Sequence, residues 1–149
     1  MKSCSEGICF NKKIIGVNEM VSRSMDWIRQ ARRNLASALA NCEKELYEET
    51  CFESHQAAEK AIKGLLSHFH RERRGHSITF IILDAGIDVP AEIKNCASIL
   101  DKHYIPSRYP DVYDEGAPMD YYTKEDAEKC IRCAETILKW VESIVRGAK

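Results

Sequence analysis

The chain has 149 residues, the length of one ordinary domain, and 44% of its residues are hydrophobic and 30% are charged. A chain of this size, with this proportion of hydrophobic to charged residues, buries enough apolar surface to fold without disulfide bonds or other cross-links. This composition excludes a disordered protein. The net charge of −1 excludes a general attraction to nucleic acid or to membranes, so any binding of a polyanion requires a local basic patch.

Residues 1–21 show no sustained hydrophobic period, which predicts a loosely attached N-terminal extension. This segment lacks the apolar stretch of about 7–15 residues that a secretory signal needs. The longest apolar runs elsewhere, such as residues 80–83, are far shorter than the roughly 20 residues that cross a bilayer. We therefore expect a cytoplasmic protein with no membrane partner, whose domain proper covers residues 22–147.

Two amphipathic helices open the domain. Ser24 is a candidate N-cap for the first helix, which the apolar spacing extends to about residue 45. The second helix begins near Tyr47 or at Thr50, where the sequence TCFE fits a capping box. Its apolar stripe continues to about His70 and predicts the central helix of a bundle.

Shorter elements follow the second helix. Ser77 can cap a short third helix over residues 78–85, which Gly86 would end. Pro90 is suited to the first position of a fourth helix that reaches about His103.

The last helix carries the clearest signals. Thr123 is a candidate cap, acidic residues follow in the first turn, and one apolar face continues to residue 145. Between residues 22 and 147 no alternating pattern indicates a strand. The predicted fold is all-α, an antiparallel up-and-down bundle of about five helices, one of them short.

The connection over residues 104–118 is long for a helix–helix loop, and its three prolines argue against a floppy chain. Arg108 offers a planar set of donors that suits phosphate, and Tyr109 can stack on a base. With Asp111 these residues are the candidate ligand-binding residues of the loop. The alternative is a structural loop, in which Arg108 pairs with a bundle carboxylate such as Glu59 and Asp111 caps a turn.

A second set of candidates lies on the central helix and at its end. Gln56, Lys60 and Lys63 share one helical face and are candidate ligand-binding residues. The basic exit over residues 71–74 follows, and His76 lies at a turn where it can act as general acid or base, or simply pack. The alternative is a solvated helix end whose cations complement the helix dipole.

We expect no metal and no cofactor. His68 and His70 point to different sides of a helix, and neither has a metal-ligating residue at helical spacing. Cys130 and Cys133 form a C-x-x-C within a helix, with no second pair at zinc spacing. The seven cysteines are expected to be reduced and mostly to pack as small apolar side chains.

Five segments together resemble the HEPN domain family: DWIRQARRNLASA, YEETCFESHQAAEKAIKGLL, GHSI, RYPD and YYTKEDAEKCIRCAETILKWV. The resemblance covers residues 25 to about 145 in order. It implies a bundle of about five helices, commonly a homodimer, often encoded beside a minimal nucleotidyltransferase as a toxin–antitoxin pair.

Some members of this family are metal-independent ribonucleases that carry an arginine followed roughly four to six residues later by a histidine. After Arg108 this window holds Asp114 and Glu115, whereas Arg71 and His76 satisfy the bare spacing. The leading prediction is therefore a protein that binds the phosphate of a nucleotide or RNA in a basic cleft. The alternatives are a ribonuclease toxin that uses Arg71 or Arg108 with His76, and a non-catalytic protein-interaction module.

Overall fold

A computed structural model of the chain describes the backbone of residues 2–147 and the side chains of residues 23–147. The α-helices of this part are α1 (Lys2–Glu43), α2 (Tyr47–His68), α3 (Ile78–Ile81), α4 (Ala91–Asp101) and α5 (Lys124–Val145). Short 3-10 turns lie at Ile82–Ala85, Pro110–Val112 and Pro118–Asp120, and residues 2–147 contain no strand. None of these helices, over the described residues, combines the length and the apolar character that spanning a bilayer requires. The predicted all-α bundle of five helices, one of them short, is confirmed.

Helix α2 lies at the centre of the bundle, as predicted, and packs against both α1 and α5. Its large apolar side chains Ile62, Leu65 and Leu66 are fully buried. Small buried residues let the neighbouring helices approach closely, and they are Ala57, Ala58 and Ala61. Helix α5 also contacts α1 and α4, so one continuous core fills the space between the long helices.

The prediction that Ser24 caps the first helix is wrong, because α1 extends through this position. The Ser24 hydroxyl is buried and donates a hydrogen bond to the carbonyl oxygen of Gly64, at 2.9 Å. A Cβ atom at Gly64 would lie 3.1 Å from the Cβ of Trp27, so glycine permits this close approach of α1 and α2. The side chains of residues 1–22 are outside the described part, and the loose attachment of residues 1–21 stays a prediction.

The predicted capping box at Thr50 is also wrong. Helix α2 begins at Tyr47, after Leu46, and no side chain caps it. The Thr50 hydroxyl donates to the carbonyl oxygen of Leu46 at 3.1 Å, the bond that a threonine within a helix makes to the preceding turn. The sequence TCFE therefore resembles a capping box, but its threonine donates to a carbonyl oxygen in the preceding turn and caps no helix.

The short third helix is found where it was predicted, but its N-terminus is capped from elsewhere in the fold. Ser77 occupies the N-cap position without a capping bond from its own side chain. The carboxylate of Asp101 accepts instead from the backbone N–H groups of Ile78 and Thr79, both at 2.9 Å. Gly86 ends the following 3-10 turn with a φ of 70°, which confirms the predicted stop.

Helix α5 begins with the capping box that its sequence predicts. The Thr123 hydroxyl accepts from the backbone N–H of Asp126 at 3.1 Å, and the Asp126 carboxylate accepts from the backbone N–H of Thr123 at 3.0 Å. The apolar face beyond it is buried, with Ala134 and Ile137 fully covered. This helix thus closes the bundle against α2.

Candidate functional site

The loop between α4 and α5 is held in shape by its own side chains. The rings of Tyr113 and Tyr121 stack with centroids 4.1 Å apart and an angle of 12° between their planes. The Tyr113 hydroxyl donates to the carbonyl oxygen of Pro106 at 2.9 Å. These contacts agree with the stiff connection that the prolines predict, and they give Arg108 a defined position.

Arg108 lies among three aromatic rings. Its guanidinium carbon is 4.8 Å from the ring centroid of Phe52, 4.4 Å from that of Tyr104 and 4.8 Å from that of Tyr109. Nε donates to the Tyr104 carbonyl oxygen at 2.9 Å, and Nη1 donates to the Tyr109 hydroxyl at 3.3 Å. We call Phe52, Tyr104, Arg108 and Tyr109 the arginine–aromatic cluster.

The alternative prediction that Arg108 pairs with Glu59 is wrong. Within the described side chains of residues 23–147, no carboxylate forms an ion pair with Arg108. The side chain is only partly buried, and stacking on the rings leaves the edge of the guanidinium group able to donate further hydrogen bonds. Among the described residues, only Nε and Nη1 of Arg108 have hydrogen-bond acceptors.

His76 adjoins this cluster through Tyr104. Their rings stack with centroids 4.9 Å apart and an interplanar angle of 19°. His76 Nδ1 lies 3.2 Å from each carboxylate oxygen of Glu59, and Lys63 donates to the same carboxylate at 2.8 Å. Glu59 is only 4% exposed, whereas the His76 side chain is 56% exposed. A buried carboxylate thus orients an exposed imidazole, and Nδ1–H donation to Glu59 would leave Nε2 free to accept a proton.

A second histidine, His55, lies beneath the cluster and is fully buried. Its Nε2 is 3.0 Å from Oδ1 of Asp101, and its Nδ1 is 3.3 Å from the side-chain oxygen of Gln56. The centroid of its ring is 4.8 Å from that of Tyr104. Gln56, a predicted ligand-binding residue, therefore has an internal partner.

Asp101 gathers several of these bonds. Burial alone would raise the pKa of its carboxyl group, but hydrogen bonds from His55, Thr79 and Ile78 outweigh burial and lower the pKa to about 2. The carboxylate is therefore ionised across the neutral range. It connects the end of α4 with the start of α3 and with α2.

Arg71 has a different environment from Arg108. Its Nη1 donates to the carbonyl oxygen of Ala85, and to that of Asp84 at 3.2 Å. No hydrogen bond joins it to His76 among the described side chains, so the sequence spacing of Arg71 and His76 does not produce a contact pair. A Cβ at Gly86 would overlap the Arg71 guanidinium, so Arg71 closes tightly over the end of the 3-10 turn.

A basic cleft lies where α1, α2 and the chain after α2 meet, and its volume is about 360 Å³. Its lining includes the basic residues Arg23, Lys63, Arg71, Arg73 and Arg74, together with Trp27. The ammonium group of Lys63 lies 5.9 Å from the centroid of the Trp27 ring and also reaches Glu59. Through Glu59, His76 and Tyr104, this cleft is linked to the arginine–aromatic cluster.

The remaining predicted site residues separate into two groups. Lys60 donates to the side-chain oxygen of Asn34 at 2.8 Å, and Asn34 in turn donates to Glu53 at 2.7 Å, so Lys60 faces α1. Tyr109 and Asp111 are exposed on the loop. The structure connects Lys63, His76, Arg108 and Tyr109, whereas Gln56, Lys60 and Arg71 have partners elsewhere.

The sequence did not identify Phe52 and Tyr104 as site residues. Spacing in the sequence is the signal that could have identified them. Phe52 lies seven residues before Glu59, so the two residues share one face of α2, and Tyr104 lies four residues before Arg108. For the partnership of His55 with Asp101 the sequence carries no local signal, since 46 residues separate them.

A family model for the HEPN domain matches residues 24–144. Among curated proteins, "Putative toxin MJ1304" of Methanocaldococcus jannaschii is 26% identical over 132 residues, which cover 80% of this chain and 86% of that protein.

Several solved structures are similar in fold and in sequence. TT1696 from Thermus thermophilus matches with a TM-score of 0.79 and 40% identity, covering 81% of this chain and 97% of that chain. ST0689, described as an archaeal HEPN homologue, has a TM-score of 0.72 and 51% identity over 82% of this chain and 97% of its own. An HEPN domain protein from Thermotoga maritima has a TM-score of 0.66 and 28% identity over 81% of this chain and 98% of its own.

Proposed function

Because the chain belongs to the HEPN domain family, we propose that it binds the phosphate of a nucleotide or of RNA at Arg108. The proposal places the protein in a toxin–antitoxin-like system, as a homodimer with a minimal nucleotidyltransferase as its partner. Similarity to "Putative toxin MJ1304" supports the toxin–antitoxin-like system, and the family resemblance supports the partner and the dimer. The observation that carries the binding proposal is the environment of Arg108, which is partly exposed and stacked on aromatic rings without a carboxylate.

The cluster has the chemical groups that a nucleotide requires. A guanidinium group donates paired hydrogen bonds to phosphate oxygens, and it remains charged at any physiological pH. Tyr109, which is 45% exposed, offers a ring face on which a base can stack. The basic side chains of the cleft add a longer-range attraction that weakens as salt increases.

Binding can be tested with a fluorescently labelled single-stranded RNA and with ATP. We expect Arg108→Ala to weaken binding by about 1–3 kcal/mol, because the phosphate loses a charge-assisted contact. Arg132→Ala is the matched control, since Arg132 is exposed on α5 and its loss changes the net charge equally. The affinity of the wild-type protein should fall steeply between low and physiological salt.

The melting temperature separates a binding role of Arg108 from a structural one. Folded Arg108→Ala that binds as tightly as Arg132→Ala would refute the proposal. A variant that melts much lower but binds normally once folded would identify the loop as a structural support.

A second candidate function, metal-independent RNA cleavage, is favoured by one observation. His76 is exposed and is oriented by Glu59. His76 and Arg108 both contact the ring of Tyr104. In such a reaction His76 would take the proton of the 2′-hydroxyl as its oxygen attacks phosphorus. The bond from phosphorus to the 5′-oxygen of the next nucleotide would break, and that oxygen would take a proton from water. Arg108 would stabilise the negative charge that develops on the phosphate.

We expect the purified protein to show little or no cleavage of single-stranded RNA, because no arginine–histidine pair among the described side chains has both the spacing and the contact of an active pair. Cleavage that persists in EDTA and disappears in His76→Ala would instead establish the ribonuclease function. Cleavage that His76→Ala retains would indicate a contaminating nuclease.

A further inference from the structure

Three side chains with metal-binding atoms meet where α2, α5 and the end of α4 come together. Cys51 belongs to α2, His103 follows α4, and Cys130 belongs to α5. One ligand atom from each lies within 4.8 Å of the other two. Both cysteines are fully buried and free of disulfides, whereas His103 is partly buried.

We propose that Cys51, His103 and Cys130 bind one Zn²⁺ ion. Thiolate sulfur and imidazole nitrogen are the ligands that zinc prefers, and three protein ligands leave a fourth position for water. The ion displaces the two thiol protons, which pass to solvent. This proposal goes beyond phosphate binding and does not depend on it.

Charge balance favours a divalent ion over Cu⁺, and the sulfur and nitrogen ligands favour a thiophilic ion such as Zn²⁺. Two thiolates and a neutral imidazole carry a charge of about −2, which a divalent cation cancels. A buried site favours a neutral complex, because an uncompensated charge in an apolar interior is costly. Cu⁺ would leave one negative charge in the same place, and Mg²⁺ or Ca²⁺ would require oxygen ligands.

The orientation of His103 suits coordination. Its Nδ1 lies 2.8 Å from the hydroxyl oxygen of Tyr122, and the two rings are 5.3 Å apart in an edge-to-face arrangement. When Nδ1–H donates to this oxygen, Nε2 keeps its lone pair for a metal. A hydrogen bond of this kind to the second nitrogen accompanies nearly every metal-bound histidine, since it fixes the ring and its tautomer.

The site differs from the C-x-x-C motif that the sequence contains. Cys130 meets Cys51 of another helix, whereas Cys133 lies beside Cys96. The Cys96 and Cys133 pair is also buried but belongs to no metal-binding group in the described part of the chain. It therefore offers a matched control with the same residue type and similar burial.

A zinc ion at this position would stabilise the two chain segments that carry Phe52 and Tyr104 of the arginine–aromatic cluster. Cys51 immediately precedes Phe52, and His103 immediately precedes Tyr104. Both aromatic residues contact Arg108. The proposed role of the metal is thus structural: it cross-links α5 to the two chain segments that hold these rings.

The full chain, purified without metal and kept reduced under anaerobic conditions, can be titrated with Co²⁺ and then with Zn²⁺ against a chromophoric chelator. We expect one equivalent of Co²⁺ to produce the thiolate-to-cobalt charge-transfer band and the visible bands of a tetrahedral site, and Zn²⁺ to displace it. Loss of a residue that only orients a ligand costs about 10–100-fold in metal affinity, so removal of a ligand itself should cost more. Cys51→Ala, Cys130→Ala and His103→Asn should therefore each weaken Zn²⁺ binding by at least about 100-fold. Cys96→Ala and Cys133→Ala should bind as the wild-type protein does. Zinc should also raise the melting temperature of the wild-type protein and of the two control variants only.

Circular dichroism of each metal-free variant establishes that it is folded before titration. His103→Asn changes a partly buried residue and provides the measurement if a cysteine variant fails to fold. Absence of the charge-transfer band in the wild-type protein, or equal loss of binding in the control and site variants, would overturn the proposal. A Cys51–Cys130 disulfide that forms under mild oxidation in a chain that binds no zinc would also overturn it, and would assign the pair to thiol chemistry.

Discussion

Two polar centres of the molecule adjoin Tyr104, one through His55 and the other through Arg108, and their charged groups have different kinds of neighbour. Around Asp101, His55 and two backbone N–H groups satisfy the carboxylate within the chain. Around Arg108, the guanidinium meets aromatic rings and only two oxygen atoms among the described residues accept its hydrogen bonds. The first centre is satisfied by contacts within the chain, whereas the second has guanidinium N–H groups for which no acceptor is found among the described residues.

The comparison shows that the kind of neighbour decides what a charged side chain does. A carbonyl or carboxylate oxygen consumes a donor, but a ring face attracts the cation and leaves its N–H groups at the edge unused. Arg71, like Asp101, has hydrogen-bond partners within the chain, because backbone carbonyl oxygens accept its hydrogen bonds. Basic residues that look equivalent in the sequence therefore differ in their contacts.

The largest expected effect concerns the satisfied centre. Asp101→Ala should lower the free energy of unfolding by about 3 kcal/mol, because it leaves His55 without its main partner and the start of α3 uncapped. Urea denaturation followed by circular dichroism measures this change. Asp114→Ala removes an exposed carboxylate and should stay within about 0.5 kcal/mol of the wild-type value. Equal effects of the two substitutions would contradict the structural role of Asp101.

The next effect is a pH dependence. The folded-state pKa of Asp101 is about 2, below its ordinary value of 3.8, so its stabilisation is fully present above about pH 5 and is lost as pH falls towards 2. The difference in unfolding free energy between the wild-type protein and Asp101→Asn should therefore shrink by about 2 kcal/mol between pH 6 and pH 2. Asp114→Asn should differ little from the wild-type protein across this range, and a constant gap for Asp101→Asn would show that ionisation is not what matters.

Arg71 gives a smaller effect that sharpens the comparison of the two arginines. Arg71→Ala should lower the free energy of unfolding by about 1 kcal/mol, since it loses its hydrogen bonds to the turn that precedes Gly86. Arg74→Ala removes a neighbouring exposed arginine of the basic cleft and should leave stability unchanged. Both variants should reduce RNA affinity by a similar small factor, because each removes one cleft charge. A much larger loss of affinity in Arg71→Ala would place it in the binding site after all.

The smallest change is expected for Tyr109→Phe, and its comparison with Tyr109→Ala separates the ring of Tyr109 from its hydroxyl group. Tyr109→Phe removes only the 3.3 Å hydrogen bond from Arg108 and should change RNA affinity by less than about 0.5 kcal/mol. Tyr109→Ala also removes the stacking surface and should cost about 1–2 kcal/mol. Fluorescence anisotropy titrations of the two variants make the measurement. Equal losses would show that the hydroxyl, rather than the ring face, contributes to binding.

Sequence periodicity predicted the helices well because each helix carries its own apolar stripe and most boundaries have local causes. The capping box at Thr123 and the left-handed stop at Gly86 are made by residues close in the chain, and both are found as predicted. The caps at Ser24 and Thr50 were wrong for a related reason, since a serine or threonine can donate within or between helices as readily as it can cap. Only the packing of the helices distinguishes these uses.

By itself, the sequence determined that this protein is a helical bundle with the motifs of the HEPN family, and it identified Arg108 and His76 as candidate site residues. The tertiary structure alone decided their partners: Arg108 meets Phe52 of α2, His76 meets Glu59, and Arg71 turns away to carbonyl oxygens. Helix formation depends on residues three or four positions apart, so a local pattern reveals it. The site depends on contacts between segments tens of residues apart, and these exist only once the helices pack against α2.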